Sequence, residues 1–193
     1  MDDLLEAGLG LDYNTLRLDR TTKAWVTAGE RLRERVADEL DGLVAEVQQI
    51  GSASVEGLLA KPIADLAAGL RTEDDLAPAQ SALERSGWIY RGDAGDAGGH
   101  VFVLEARPWH RVAHLHLVKH QGRQWQNYLL LRDLLRRSPQ ARASYEAVKQ
   151  KLSTHVGDDR DTYTQGKTAI VRHLLGTAGG TAGPRSPVAR EPS

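Results

Sequence analysis

Between Ile50 and Leu66 the chain reads Gly51-Ser52-Ala53-Ser54-Val55-Glu56-Gly57-Leu58, then Ala60-Lys61-Pro62-Ile63-Ala64-Asp65. Short hydroxyls on a glycine turn, next to the backbone N–H groups of a helix start, suit the charge and lone pairs of a phosphate. An aspartate on the adjacent strand offers the carboxylate oxygen that Mg²⁺ takes together with phosphate oxygens. The same residues also make a capped loop beside a core strand, because a Gly-Ser pair is a weak signal alone. Further along, His114 and His116 fall on one face of a strand, since strand side chains alternate. They could ligate zinc with Asp65 or Glu105 as third ligand, move protons near neutral pH, or simply bond within a polar pocket. Arg132 and Arg136 stand one helical turn apart, a spacing that suits either anion recognition or a salt-bridged helix. Lys149 and Lys167 each lie on a predicted helix at the edge of its apolar stripe, pointing towards the sheet or into solvent. His100, His110 and His120 read as surface loop residues, and Trp109 and Trp125 as base-stacking or packing side chains.

The elements that must hold these groups follow from periodicity. Trp25, Ala28, Leu32, Val36 and Leu40 recur every three or four residues and predict a helix with one buried face. Leu43 to Val47 alternates like a strand. Val55, Leu58 and Leu59 suggest a short helix capped by the serines and ended by Lys61-Pro62. Ile63 to Leu70 reads as a buried strand, and Thr72 before Glu73-Asp74-Asp75 as a helix start running to Gly87. Trp88 to Tyr90, Val101 to Leu104 and Val112 to Val118 predict strands, with a glycine-rich loop at 92–99 and a turn at Arg107-Pro108-Trp109-His110. After Gly122 the pattern is wholly helical. Strands and helices come first and helices last, which predicts an α+β fold: a mixed β-sheet flanked by helices, with a helical C-terminal part. Residues 1–20 are weakly patterned and expected as a loosely ordered arm, 21–175 as the domain, and 176–193 as a disordered tail.

Composition narrows the function classes. Lys+Arg (25) and Asp+Glu (26) nearly cancel, so no global field draws nucleic acid or anionic lipid, and neither is expected as a partner. The chain has no cysteine, which excludes disulfides, thiolate metal sites and a cysteine nucleophile. No apolar run approaches the roughly 18 to 20 residues of a membrane span, and the acidic N-terminus lacks a signal-peptide core. A cytoplasmic protein with a small-molecule substrate is the expectation.

The run from Gly51 to Asp65 resembles the signature of the GrpB family, in which a Gly-Ser turn leads through Ala-Lys-Pro to an aspartate. Gly51, Ser52, Ser54, Val55, Gly57, Leu58, Ala60, Lys61, Pro62, Ile63 and Asp65 match in place. Trp25, the His114-Leu115-His116 strand, Arg132 to Arg136, Pro139, Tyr145, Lys149, Tyr163 and Lys167 extend the resemblance from about Trp25 to Leu175. It implies a nucleotidyltransferase-like fold. It further implies that Ser52, with Gly51, Ser54 and Lys61, contacts the phosphates of an NTP, and that Asp65 holds Mg²⁺. The pattern departs at Ala67, where that superfamily places a second carboxylate, at Glu56 for a proline, and at Gln49 for a histidine.

Three functions remain open. The first is transfer of a nucleotidyl group from an NTP to a small acceptor, or activation of a carboxylate, with Mg²⁺. The second keeps the cleft but drops the nucleotide: Asp65, His114 and His116 do acid–base chemistry on a small anion held by Arg132, Lys149 and Lys167. The third is a ligand-binding module without catalysis.

Overall fold

The computed structural model describes residues 1–94, 99–156 and 160–178. Helix α2 (Lys23–Glu39) begins where the Thr22 side chain accepts the Trp25 N–H, and it buries Trp25, Ala28, Leu32 and Val36 as its periodicity requires. Strand β3 (Val44–Ile50) is longer than its alternation suggested. Pairing with β5 (Ala64–Leu70) carries it to the Gly51 turn, through Gln48↔Ala67 and Ile50↔Asp65.

No helix follows that turn. Ser52–Ser54 form a single 3₁₀ turn, and Leu59–Ala60 (β4) instead pairs antiparallel with Asp19–Arg20 (β2). Gly57 adopts φ +78, and its N–H donates to Thr21 O while Leu58 O accepts from Thr21 N–H. The backbone groups a helix would need are thus committed to a distant strand. Helix α3 (Leu76–Arg85) likewise starts later than Thr72, because Asp75 turns back to accept both the N–H and the hydroxyl of Thr72.

Strands β6 (Trp88–Asp93), β7 (His100–Arg107) and β8 (His110–Lys119) complete a mixed sheet ordered β3-β5-β8-β7-β6. Only β5 and β8 run parallel among these neighbours. Side chains of Val47, Leu66, Leu115 and Phe102 face α2 and α3 and form the main core. The opposite face carries Ile50, Ala67 and Val118, packed under Trp125 of α4 (Arg123–Arg137). Helices α5 (Pro139–Val156) and α6 (Arg160–Thr177) close over α4, with Leu135, Tyr145 and Leu174 in one cluster. No helix among the described residues is long and apolar enough to cross a membrane. Residues 95–98 of the glycine-rich stretch, residues 157–159 and the tail from 179 lie outside the described residues.

Residues 1–20 are not the loose arm expected. Helix α1 (Asp2–Glu6) buries Leu4, Leu9 sits in the main core, and β1 (Leu11–Asp12) pairs with Arg111 and His110 of β8. The apolar positions of this stretch are too few to show a period, but Leu4, Leu9, Leu11 and Tyr13 are buried. Leu9, 2% exposed, should therefore behave as a core residue. We expect Leu9→Ala to lose about 2–4 kcal/mol in urea unfolding. A loss under about 0.5 kcal/mol would restore the arm.

Candidate functional site

The register of the sheet puts the predicted groups on one face. Ile50, Asp65, His114 and Val103 lie in one row across four strands, and Gln48, Ala67, His116 and Val101 in the next. His114 Nδ1 lies 3.2 Å from Asp65 Oδ1, and the two side chains are 15% and 30% exposed. Burial works to raise the Asp65 pKa. The hydrogen bond with His114 and the charges of His114, His116 and Lys167 outweigh it and hold the carboxyl below its ordinary 3.8. His116 Nδ1 lies 3.1 Å from the hydroxyl of Tyr128, whose phenol is pushed far up, chiefly by burial. A phenol that stays protonated and donates to Nδ1 leaves the proton of a neutral His116 on Nε2.

The C-terminal helices bring the rest. Lys149 of α5 is 2% exposed, and its Nζ lies 3.0 Å from Ser52 Oγ while also donating to Leu59 O. The Ser52 hydroxyl donates to the Tyr145 hydroxyl at 3.4 Å. Glu146, one residue on, accepts the Leu59 N–H at 2.8 Å and pairs with Arg20, fixing α5 against β4. Lys167 of α6 is half-buried and close enough to act on both Asp65 and Lys149. The Gly51 turn closes the floor: a Cβ there would stand 2.4 Å from Asp65 Oδ2.

Asp65, His114, His116, Ser52, Lys149 and Lys167 are therefore brought together, as Gly51 is at their edge. Other expected residues are placed differently. Ser54 is buried and its hydroxyl donates to Gly51 O at 2.7 Å, so it shapes the turn and does not face a ligand. Arg132 is not held out for an anion: its Nη1 donates to Gln48 Oε1 at 2.6 Å and Gln49 O at 3.0 Å, and its Nε to Asp133. Arg136 donates to Ser54 O. Lys61 stands half-buried in the connection between β4 and β5. Gln49 points away from the site, into the α2 side of the sheet, so the departure from histidine there does not alter this face.

Glu105 is elsewhere. It accepts from Tyr13 Oη at 2.7 Å, from Arg91 at 3.2 Å and from the Trp109 N–H at 3.0 Å, next to the fully buried Arg111 that lies over the Tyr13 ring. That network ties the N-terminal residues to the sheet and removes Glu105 as a third ligand for the histidines. Nor are His100 and His110 loop residues on the surface, whereas His120 does stand in the turn after β8. His100 and His110 lie on strands and bond Tyr90 at 2.8 Å and Asp12 at 2.6 Å, and half-buried His120 meets Trp125 edge-on. Trp125 is buried packing; Trp109 is half exposed against Tyr13.

The site does not fit Mg²⁺. Magnesium wants several hard oxygens, and Asp65 is the sole carboxylate in these two rows. Ala67, where a second carboxylate would stand, is sealed among Ile50, Val118 and Trp125. The neighbours that act on Asp65 are two imidazoles and an ammonium, none of which supplies the hard oxygen that Mg²⁺ takes. Among the described residues no three His, Asp or Glu side chains are grouped to hold a metal.

Tyr128 and Glu146 were missed by sequence reasoning. Tyr128 follows Trp125 by three and precedes Arg132 by four, so the inward stripe of α4 carried the signal. Glu146 offered none, because its partner Arg20 is distant in the chain.

A family model described as GrpB protein matches residues 15–177. A UPF0157 protein of Deinococcus radiodurans is 33% identical over 151 residues, 78% of this chain and 76% of that one. The glutamate-rich protein GrpB of Alkalihalophilus pseudofirmus is 25% identical over 170 residues, 86% of this chain and 98% of that one. The crystal structure of the conserved protein GrpB from Enterococcus faecalis superposes with a TM-score of 0.74 at 27% identity, covering 84% of this chain and 96% of that one.

Proposed function

The chain belongs to the GrpB family, and from the arrangement around Asp65 we propose that it is a metal-independent enzyme of proton transfer acting on a small anionic substrate. One observation carries this reading: a single carboxylate stands among His114, His116 and Lys167, on a face whose second acidic position is Ala67. Such a hollow offers Lys167 to a carboxylate or phosphate and too few hard oxygens to Mg²⁺. Lys167 supplies charge for the anion, and the Ser52 hydroxyl a hydrogen bond. His116 exchanges the proton at Nε2, its ring oriented by Tyr128. Asp65, oriented by His114, accepts a hydroxyl or amine of the substrate.

Nucleotidyl transfer through Mg²⁺ ranks below this reading, because its charge-neutralising ions have no adequate ligands here. The test is a thermal-shift titration with inorganic pyrophosphate. We expect stabilisation in excess EDTA at least as large as in Mg²⁺, and its loss in Lys167→Met. Stabilisation confined to Mg²⁺ would return the site to metal-dependent chemistry.

A further inference from the structure

We propose that Ser52 is a nucleophile and Lys149 its general base, so that the site forms a covalent acyl-Ser52 intermediate from a small acyl donor. The inference uses the same hollow as the proton-transfer reading but does not rest on His116. Lys149 is the buried member of the cluster, placed 3.0 Å from Ser52 Oγ, with a second N–H directed to Leu59 O. A neutral amine in that position donates to the carbonyl and turns its lone pair to the serine hydroxyl. The burial that favours the neutral form is reinforced by Lys167 on α6 and opposed by Asp65 on β5 and Glu146 on α5. The sum holds the Lys149 pKa well below 10.5. The Tyr145 ring, 5.1 Å from Nζ, also works against the neutral form, and the Ser52 hydroxyl donates to Tyr145 Oη at 3.4 Å until it turns to the amine. Ser52 itself is half-buried, and it follows a glycine in a backbone conformation reserved for that residue. Serine activated by a neutral lysine is a known alternative to the serine–histidine arrangement.

The step balances with water as the only co-reactant. Ser52 Oγ attacks the carbonyl carbon of an ester or thioester while its proton passes to Lys149 Nζ. The bond to the leaving group breaks, and Nζ returns the proton to that group. Water then attacks acyl-Ser52, giving a proton to Nζ that finally restores the hydroxyl, and the carboxylic acid departs. Lys167 sits where an anionic group on the acyl donor would be held.

A structural alternative is that Lys149 only ties α5 to β4. The two are separated by treating the protein with an alkyl fluorophosphonate, in which Oγ attacks phosphorus and fluoride leaves, and following the adduct by intact mass and peptide mapping. We expect one adduct on Ser52, none in Ser52→Ala, and labelling that rises with pH to a midpoint below 10.5. Lys149→Arg preserves donors for a tether but removes the base, and should label roughly 100-fold more slowly or worse. No adduct, an adduct on another residue, or a wild-type rate in Lys149→Arg overturns the proposal. Should that variant fail to fold, the wild-type profile still decides: a labelling rate that does not fall with falling pH anywhere in the range where the protein stays folded overturns it as well. Pyrophosphate binding without labelling therefore removes this inference alone, whereas labelling without pyrophosphate binding removes the earlier reading alone.

Discussion

Asp65→Asn is expected to bind inorganic pyrophosphate roughly ten-fold more tightly than the wild type in EDTA, when titrated by calorimetry. The sign distinguishes two chemistries. If Asp65 held a metal that in turn held phosphate, the amide would abolish binding. In the present geometry the carboxylate is a like charge beside the anion, and a like charge about 6 Å away costs roughly 3 kcal/mol at an effective dielectric near 20, less where solvent screens it. The substitution keeps the shape of the side chain and an oxygen that accepts from His114 Nδ1. It leaves Lys167 and Lys149 without an acidic neighbour at that point. Weaker binding in Asp65→Asn would contradict the metal-free reading.

The same variant has a stability signature. The folded Asp65 pKa lies below 3.8, so its ion pair contributes stability that is fully present above about that pH. That contribution disappears as the pH falls through the folded value, because the native state must then take up a proton that the unfolded chain already carries. Asp65→Asn should flatten this part of the acid unfolding profile while leaving the profile above pH 5 parallel to the wild type.

Much of the site was legible before any coordinates, and the reasons are specific. His114 and His116 share a face because alternation is a covalent property of a strand. Asp65 joins them because β5 and β8 are neighbours in the sheet, which the two buried apolar runs around Asp65 and the histidines already hinted at. The helical stripes of α2 and α4 were equally plain. What the chain hid were interactions between distant segments. The pairing of Asp19–Arg20 with Leu59–Ala60 turned an expected helix into a strand, and no local signal marks it. Arg132 and Arg136 looked like an anion fork because their spacing is right, yet both are engaged by backbone carbonyls around the Gly51 turn. Spacing on a helix fixes which side chains are neighbours, not what they face. Leu4, Leu9 and Leu11 show the same limit from the other side. Their burial depends on where α1 and β1 dock, and a short stretch has no room for a period.

Gly51→Ala is expected to be the most damaging single substitution at the site, with a loss of at least about 3 kcal/mol in chemical unfolding and no detectable pyrophosphate binding. Two independent effects add. Gly51 has φ +71 and ψ −176, a region occupied essentially by glycine alone, so any side chain costs about 1–3 kcal/mol in backbone strain. A Cβ would also lie 2.4 Å from Asp65 Oδ2 and 3.0 Å from Asp65 Cβ. The carboxylate arm cannot swing away without breaking its bond to His114, because β5 carrying it is paired on both sides. Relief must come from the turn itself, which would carry Ser52 away from Lys149 and the Gly51 carbonyl away from Ser54. The contrast with Gly57→Ala separates strain from contact: that glycine also has positive φ, but nothing stands within 4 Å of its would-be Cβ. Gly57→Ala should lose only about 1 kcal/mol and keep pyrophosphate binding, the cost of a left-handed conformation alone. Equal losses in the two variants would mean that the close approach of Gly51 to Asp65 has no energetic weight, and that the turn does not hold the carboxylate in place.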